Sequence, residues 1–215
     1  MADAHEALAI QFAELPQQRQ AATLGMWTFL ATEVLFFGDM FMGYTIYRHT
    51  YPQAFAVASH HTELVFGTIN TALLLTSGLT MALAVHAIRK DNPRHAVRFL
   101  LVTILLGLAF LGVKGLEYRI DLAEHLWPGP HFQSGLPPQA QIFWFLYWLM
   151  TGFHSVHLMV GVGLLAVVAW MTTRGRFSAA YCTPLEIAGL YWGFVDVIWI
   201  YLYPLLYLVN RYSAQ

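Results

Sequence analysis

Five stretches of this chain are each long and apolar enough to cross a lipid bilayer, and together they cover most of its length. A helix spans the roughly 30 Å hydrocarbon core with about 20 apolar residues. Leu24–Tyr47 encloses only Glu33 and Asp39, and Val65–Ile88 carries no formal charge. Ala96–Val113 is the shortest and leans on Arg98 and Lys114 at its ends. Ile142–Met171 is uncharged, with His154 and His157 near its middle, and Ile187–Val209 encloses Asp196. In lipid every backbone polar group must be satisfied internally, which runs of this length achieve as helices. The fold class that follows is all-α: a polytopic membrane protein, a bundle of five transmembrane helices.

Composition agrees. Of 215 residues, 58% are hydrophobic and 11% charged, against roughly 45–50% and about 25% in soluble domains. That excludes a disordered chain, a nucleic-acid binder and nearly any soluble enzyme. A formal net charge of −1 implies no strongly charged partner. Cys182 is alone, so the chain has no internal disulfide and no thiolate metal site.

Residues 1–22 read as a tail and 23–215 as the five-helix membrane domain. The tail carries Asp3, Glu6 and Glu14 against Arg19, unlike the basic start of a signal peptide, and Pro16 interrupts it before the first span. Arg19, Arg89, Lys90, Arg94, Arg98, Arg174 and Arg176 fall on one side of the membrane, and Arg48, Arg119 and Arg211 on the other. Lysine and arginine favour the cytoplasm. The N-terminus is therefore expected inside and the C-terminus outside, with an external connection Glu117–Pro138 containing Trp127-Pro128-Gly129-Pro130. No repeat suggests an inverted-repeat transporter.

A charge at the bilayer centre costs about 2.5–3.5 kcal/mol on insertion scales, so Glu33, Asp39 and Asp196 need a reason to be there. His154 and His157, three residues apart, share a helix face. The economical arrangement is an interhelical cluster in which Glu33 meets one or both imidazoles and shares a proton. As glue alone, such contacts contribute about 0.6 kcal/mol on average; a proton-conducting or proton-buffering role is the functional alternative. Glu33 and Asp196 fall at similar depth, and Asp39 about two turns further out. A metal or haem reading of His-x-x-His is weak: the only other histidine in a span, His86, lies at a cytoplasmic end, and no Glu-x-x-His pair is present.

Gly189 and Gly193 form a GxxxG, and Gly152, Gly161 and Gly163 mark the fourth span, so these last two helices are expected to pack closely. Pro204 should kink the fifth span near its outer end. Trp192, Trp199, Tyr201, Tyr203 and Tyr207 read as packing and interface anchors.

The motifs, taken in order, resemble subunit III of the haem–copper respiratory oxidases over about residues 23–209. The first span carries Gly25-Met26-Trp27-Thr28-Phe29-Leu30-Ala31-Thr32-Glu33, and the second Asn70-Thr71 with Ser77. The third ends in Lys114-Gly115-Leu116-Glu117-Tyr118. The fourth holds Thr151-Gly152-Phe153-His154-Ser155-Val156-His157, and the fifth Trp192-Gly193-Phe194-Val195-Asp196-Val197-Ile198-Trp199. Two features depart from the family: the first two helices of its seven-helix members are missing, as in the shorter bacterial forms, and Gly193 stands where histidine is usual. With that pair goes one wall of the family's phospholipid cleft, so bound phospholipid is implied but its contacts are not transferable.

The resemblance implies a subunit without redox centres or metal of its own, in the bacterial cytoplasmic membrane, beside a catalytic subunit I (and subunit II) that holds haem and copper. It would support oxygen reduction and proton uptake, with no catalytic residue in this chain. Glu33 matches the family's buried glutamate, and His154 and His157 match the histidines near it. A five-helix accessory protein of nitric oxide reductase is similar enough to stand as an alternative, and an independent transporter or proton channel is a further one.

Overall fold

The computed structural model describes residues 10–130, 132, 135–179 and 181–208. Asp3, Glu6, Val209 and Arg211, used above for the tail, the last span and the charge count, lie outside the described residues. Helix α1 runs Leu15–Thr50, α2 Pro52–His60, α3 Leu64–Arg89, α4 Pro93–Ala123, α5 Ala140–Thr173 and α6 Thr183–Tyr203, continued by a π turn Pro204–Leu208. All but α2 are long and apolar enough to cross a membrane, the last counted together with its π turn.

Proline sets several helix starts. Pro16, Pro52, Pro93 and Pro184 each occupy the first turn of a helix, where the missing N–H costs nothing. Pro16 thus opens α1 within the segment read as a tail. At the far end of α5 the chain turns on Gly175, whose φ of 69° suits glycine. Pro204 ends the α-helical hydrogen bonding of α6 and starts the π turn. Two of that turn's carbonyls gain outside donors: Tyr44 Oη reaches Leu205 O at 2.5 Å and Thr62 Oγ1 reaches Leu206 O at 3.4 Å.

Helices α3, α4, α5 and α6 form the bundle, and α1 lies against α5 and α6. Lipid tails are as apolar as leucine, so close van der Waals fit and interhelical hydrogen bonds hold membrane helices together. Trp192 shows this fit: it is fully buried in notches left by Gly107 of α4 and Gly161 of α5. A β-carbon on Gly107 would stand 2.7 Å from the indole. The indole Nε1 donates to Ser77 Oγ of α3 at 3.0 Å, and Trp199 Nε1 donates likewise to Thr71 Oγ1 at 3.0 Å.

The third span is longer than hydropathy suggested. Helix α4 continues ten residues past Val113, so Glu117 and Asp121 sit in buried helix and not in a connection. Basic residues collect at one end of the bundle, where Arg89 Nη2 pairs with Glu186 Oε1 at 2.7 Å across α3 and α6.

Candidate functional site

Glu33 and His157 come together at the edge of the bundle. Oε2 of Glu33 on α1 lies 3.0 Å from Nε2 of His157 on α5. The Nδ1 atom of His157 lies 2.8 Å from the Phe153 carbonyl, which can only accept. Nδ1 therefore carries a hydrogen, and the Nε2···Oε2 contact holds one proton between imidazole and carboxyl. The rings of Phe36 and Phe37 pack against His157, and Phe153 packs edge-on against Phe36. Its side chains keep 17% and 18% exposure, so the proton lies near the outer surface of the bundle.

His154 does not join them. It is fully buried, packed 5.6 Å from the Phe110 ring and 5.2 Å from Trp199, and neither ring nitrogen has a partner among the described residues. Three residues along a helix leave two side chains about 60° apart around the axis. That angle turns His154 into the bundle interior while His157 reaches α1.

Asp196 is also separate from Glu33. Its carboxylate occupies the notch at Gly78 of α3, where a β-carbon would overlap Oδ2, and Oδ1 lacks a partner among the described residues. Asp39 is exposed on α1, on the side opposite the buried Leu30, Phe37 and Tyr44. In the GxxxG, a β-carbon on Gly189 would stand 3.4 Å from Met81 and Val85 of α3, while one on Gly193 would meet nothing within 4 Å. The glycine that serves α5–α6 packing is Gly161. Gly189 and Gly193 instead line open clefts of about 620 Å³ toward α3 and about 790 Å³ toward α1.

The most extensive polar cluster was missed from sequence. Lys114, Glu117 and Asp121 are 1%, 0% and 2% exposed. Lys114 Nζ donates to Glu117 Oε2 at 3.0 Å, Tyr147 Oη at 2.9 Å and Tyr207 Oη at 2.7 Å. Tyr207 Oη donates to Glu117 Oε1 at 2.6 Å, and Tyr147 Oη lies 2.9 Å from both Glu117 Oε1 and Asp121 Oδ2. Tyr118 meets Thr151 at 2.8 Å beside it. Three chain segments (α4, α5 and the π turn) are thereby joined by charge-assisted hydrogen bonds, which are about twice as strong as neutral ones. A signal was present: Ala96, Leu100, Thr103, Gly107, Phe110, Lys114, Glu117 and Asp121 alternate by four and three, one continuous buried face. Among the described residues no group of three or more His, Cys, Asp or Glu is placed to hold a metal ion.

The family model for cytochrome c oxidase subunit III matches residues 9–211. A cytochrome c oxidase subunit 3 of Thermostichus vulcanus is 33% identical over 190 residues, 88% of each chain. A probable quinol oxidase subunit 3 of Staphylococcus haemolyticus is 29% identical, covering 89% of this chain and 90% of its own. A cytochrome c oxidase subunit 3 of Alkalihalophilus pseudofirmus is 30% identical, covering 91% and 94%.

Proposed function

This chain belongs to the cytochrome c oxidase subunit III family, and from that premise we propose that it is the non-redox subunit that supports oxygen reduction and proton uptake by a haem- and copper-bearing catalytic partner. The observation that carries the reading is the Glu33–His157 pair: a carboxyl and an imidazole sharing one proton at the rim of the bundle, neither fully buried. Such a pair can hold or pass a proton at a contact with another subunit, and it has no electron to give. Asp39, exposed on the outer side of α1 at membrane depth, adds a place where a neighbouring transmembrane segment with a hydrogen-bond donor would be favoured over lipid. Membrane lipid fills the open clefts over Gly193. The three relatives described carry oxidase names and lend the nitric oxide reductase alternative no support.

The test is a mild-detergent purification of the tagged chain from its native membrane, with partners identified by mass and by haem and copper spectra. The proposal expects subunits I and II to accompany it with haem and copper in subunit I. Co-purification with a nitric oxide reductase, or recovery of the chain alone with proton transport on reconstitution, would overturn it.

A further inference from the structure

The Lys114 cluster has a hydrogen count that its groups, in their ordinary charge states, do not meet. Six hydrogen bonds of 2.6–3.0 Å link its five side chains: Lys114 to Glu117, Tyr147 and Tyr207, Tyr207 to Glu117, and Tyr147 to both Glu117 and Asp121. Each needs a hydrogen between its two heavy atoms. An ammonium supplies three and two phenols supply one each, five in all, while ionised carboxylates supply none. The three ammonium hydrogens go to Glu117 Oε2, Tyr147 Oη and Tyr207 Oη, and the Tyr207 hydrogen goes to Glu117 Oε1. Tyr147 is left with one hydrogen and two carboxyl oxygens, each 2.9 Å away.

We infer that Asp121 is a neutral carboxylic acid donating its own hydrogen to Tyr147 Oη, which makes this cluster a built site for one exchangeable proton at the end of the bundle opposite Arg89. Every contact then has its hydrogen. Tyr147 Oη accepts from Lys114 and Asp121 and donates to Glu117. Glu117 accepts at both oxygens and so has no comparable place for the proton. Charge gives the same answer independently. One ammonium balances one carboxylate, whereas two ionised carboxylates would leave an uncompensated negative charge among residues at most 2% exposed.

Among the described residues, Lys114 is the cation that acts on Asp121. Glu124, just past the end of α4, adds negative charge, and Arg119 on α4 is exposed. From α5 and the π turn the facing groups are the phenols of Tyr147 and Tyr207. The ionisable residues of α3, His86 and Arg89, stand at its far end. The proton is distinct from the one shared by Glu33 and His157, which sits at the bundle rim.

The test is infrared spectroscopy of the full chain, with whatever subunits accompany it, in ordinary and heavy water. Parent protein should show a deuterium-sensitive stretch of a protonated carboxyl that is lost in Asp121→Asn and retained in the control Asp39→Asn. Asparagine offers an N–H to Tyr147 in place of the acid O–H, so the cluster keeps its contacts. In Tyr147→Phe the same band should move to higher frequency, because the acid loses its acceptor. A carboxyl region identical in parent and Asp121→Asn overturns the inference. If Asp121→Asn does not assemble, an unchanged carboxyl region in Tyr147→Phe overturns it equally.

Discussion

Replacing Lys114 with methionine keeps most of the side chain's length and apolar stem while removing its charge and its three hydrogens. In the structure those hydrogens serve Glu117, Tyr147 and Tyr207 at 2.7–3.0 Å, and the lysine and glutamate side chains are 2% and 0% exposed. Removing one partner of a buried pair typically costs about 3–5 kcal/mol, because the other charge remains without compensation. The cation also lies 4.5 Å from the Tyr147 ring centre and 4.9 Å from that of Tyr118, contacts the thioether does not replace. Lys114→Met should therefore lower unfolding free energy by about 3–5 kcal/mol, read by equilibrium unfolding in mixed detergent micelles. Adding Glu117→Gln should recover at least about 1 kcal/mol, since the stranded carboxylate becomes a neutral amide. A loss in Lys114→Met below about 0.5 kcal/mol, the level of an ordinary surface substitution, would show that the lysine does not compensate a buried carboxylate. Strict additivity of the two changes would show the same.

Other predictions follow from the same geometry. Gly107→Ala places a methyl against Trp192 and should cost about 1–3 kcal/mol, while Gly152→Ala and Gly193→Ala, with open space at the added carbon, should stay within about 0.5 kcal/mol of the parent in the same unfolding assay. Gly78→Ala should be damaging too, since its methyl would overlap the Asp196 carboxylate. Single cysteines at Arg94 and Glu124 should react with a membrane-impermeant reagent from opposite sides, Arg94 from the cytoplasm; labelling of both from one side would contradict the topology. Glu33→Ala should weaken association with the catalytic partner more than Glu33→Gln, whose amide can still donate to His157 Nε2; equal retention of subunits by both variants would contradict the contact's role.

Hydropathy made the five spans legible, and the physical reason is length: only helices satisfy so many consecutive backbone groups in lipid. It failed at α4 because a window that halts at charge stops at Lys114. The alternating four-and-three spacing through Lys114, Glu117 and Asp121 was the better guide, since a helix continues regardless of side-chain charge when that charge is paired inside. The buried partners Tyr147 and Tyr207 were harder to find, because nothing local distinguishes them from the other aromatics of α5 and α6. The Glu33 contact was legible from the cost of a carboxyl in lipid. Which histidine meets it was not, because His154 and His157 differ only by the angle that turns one inward and the other toward α1. The GxxxG of α6 marked small residues without saying what they face: Gly189 is turned toward helix α3, and Gly193 stays open.

The role proposed for this chain is to support a reaction carried out in its partner. Its most direct test is oxygen consumption by the assembled complex bearing Glu33→Gln, followed from the first turnovers through prolonged activity, with haem and copper spectra and subunit content recorded alongside. Glutamine preserves the contact to His157 but cannot ionise. Spectra, subunit content and initial rate should stay close to those of the parent, with any deficit growing over successive turnovers. An immediate fall of about a hundredfold, equivalent to roughly 2.7 kcal/mol of barrier, with spectra and subunits unchanged, would mean that Glu33 serves the reaction itself and that the supporting role is wrong.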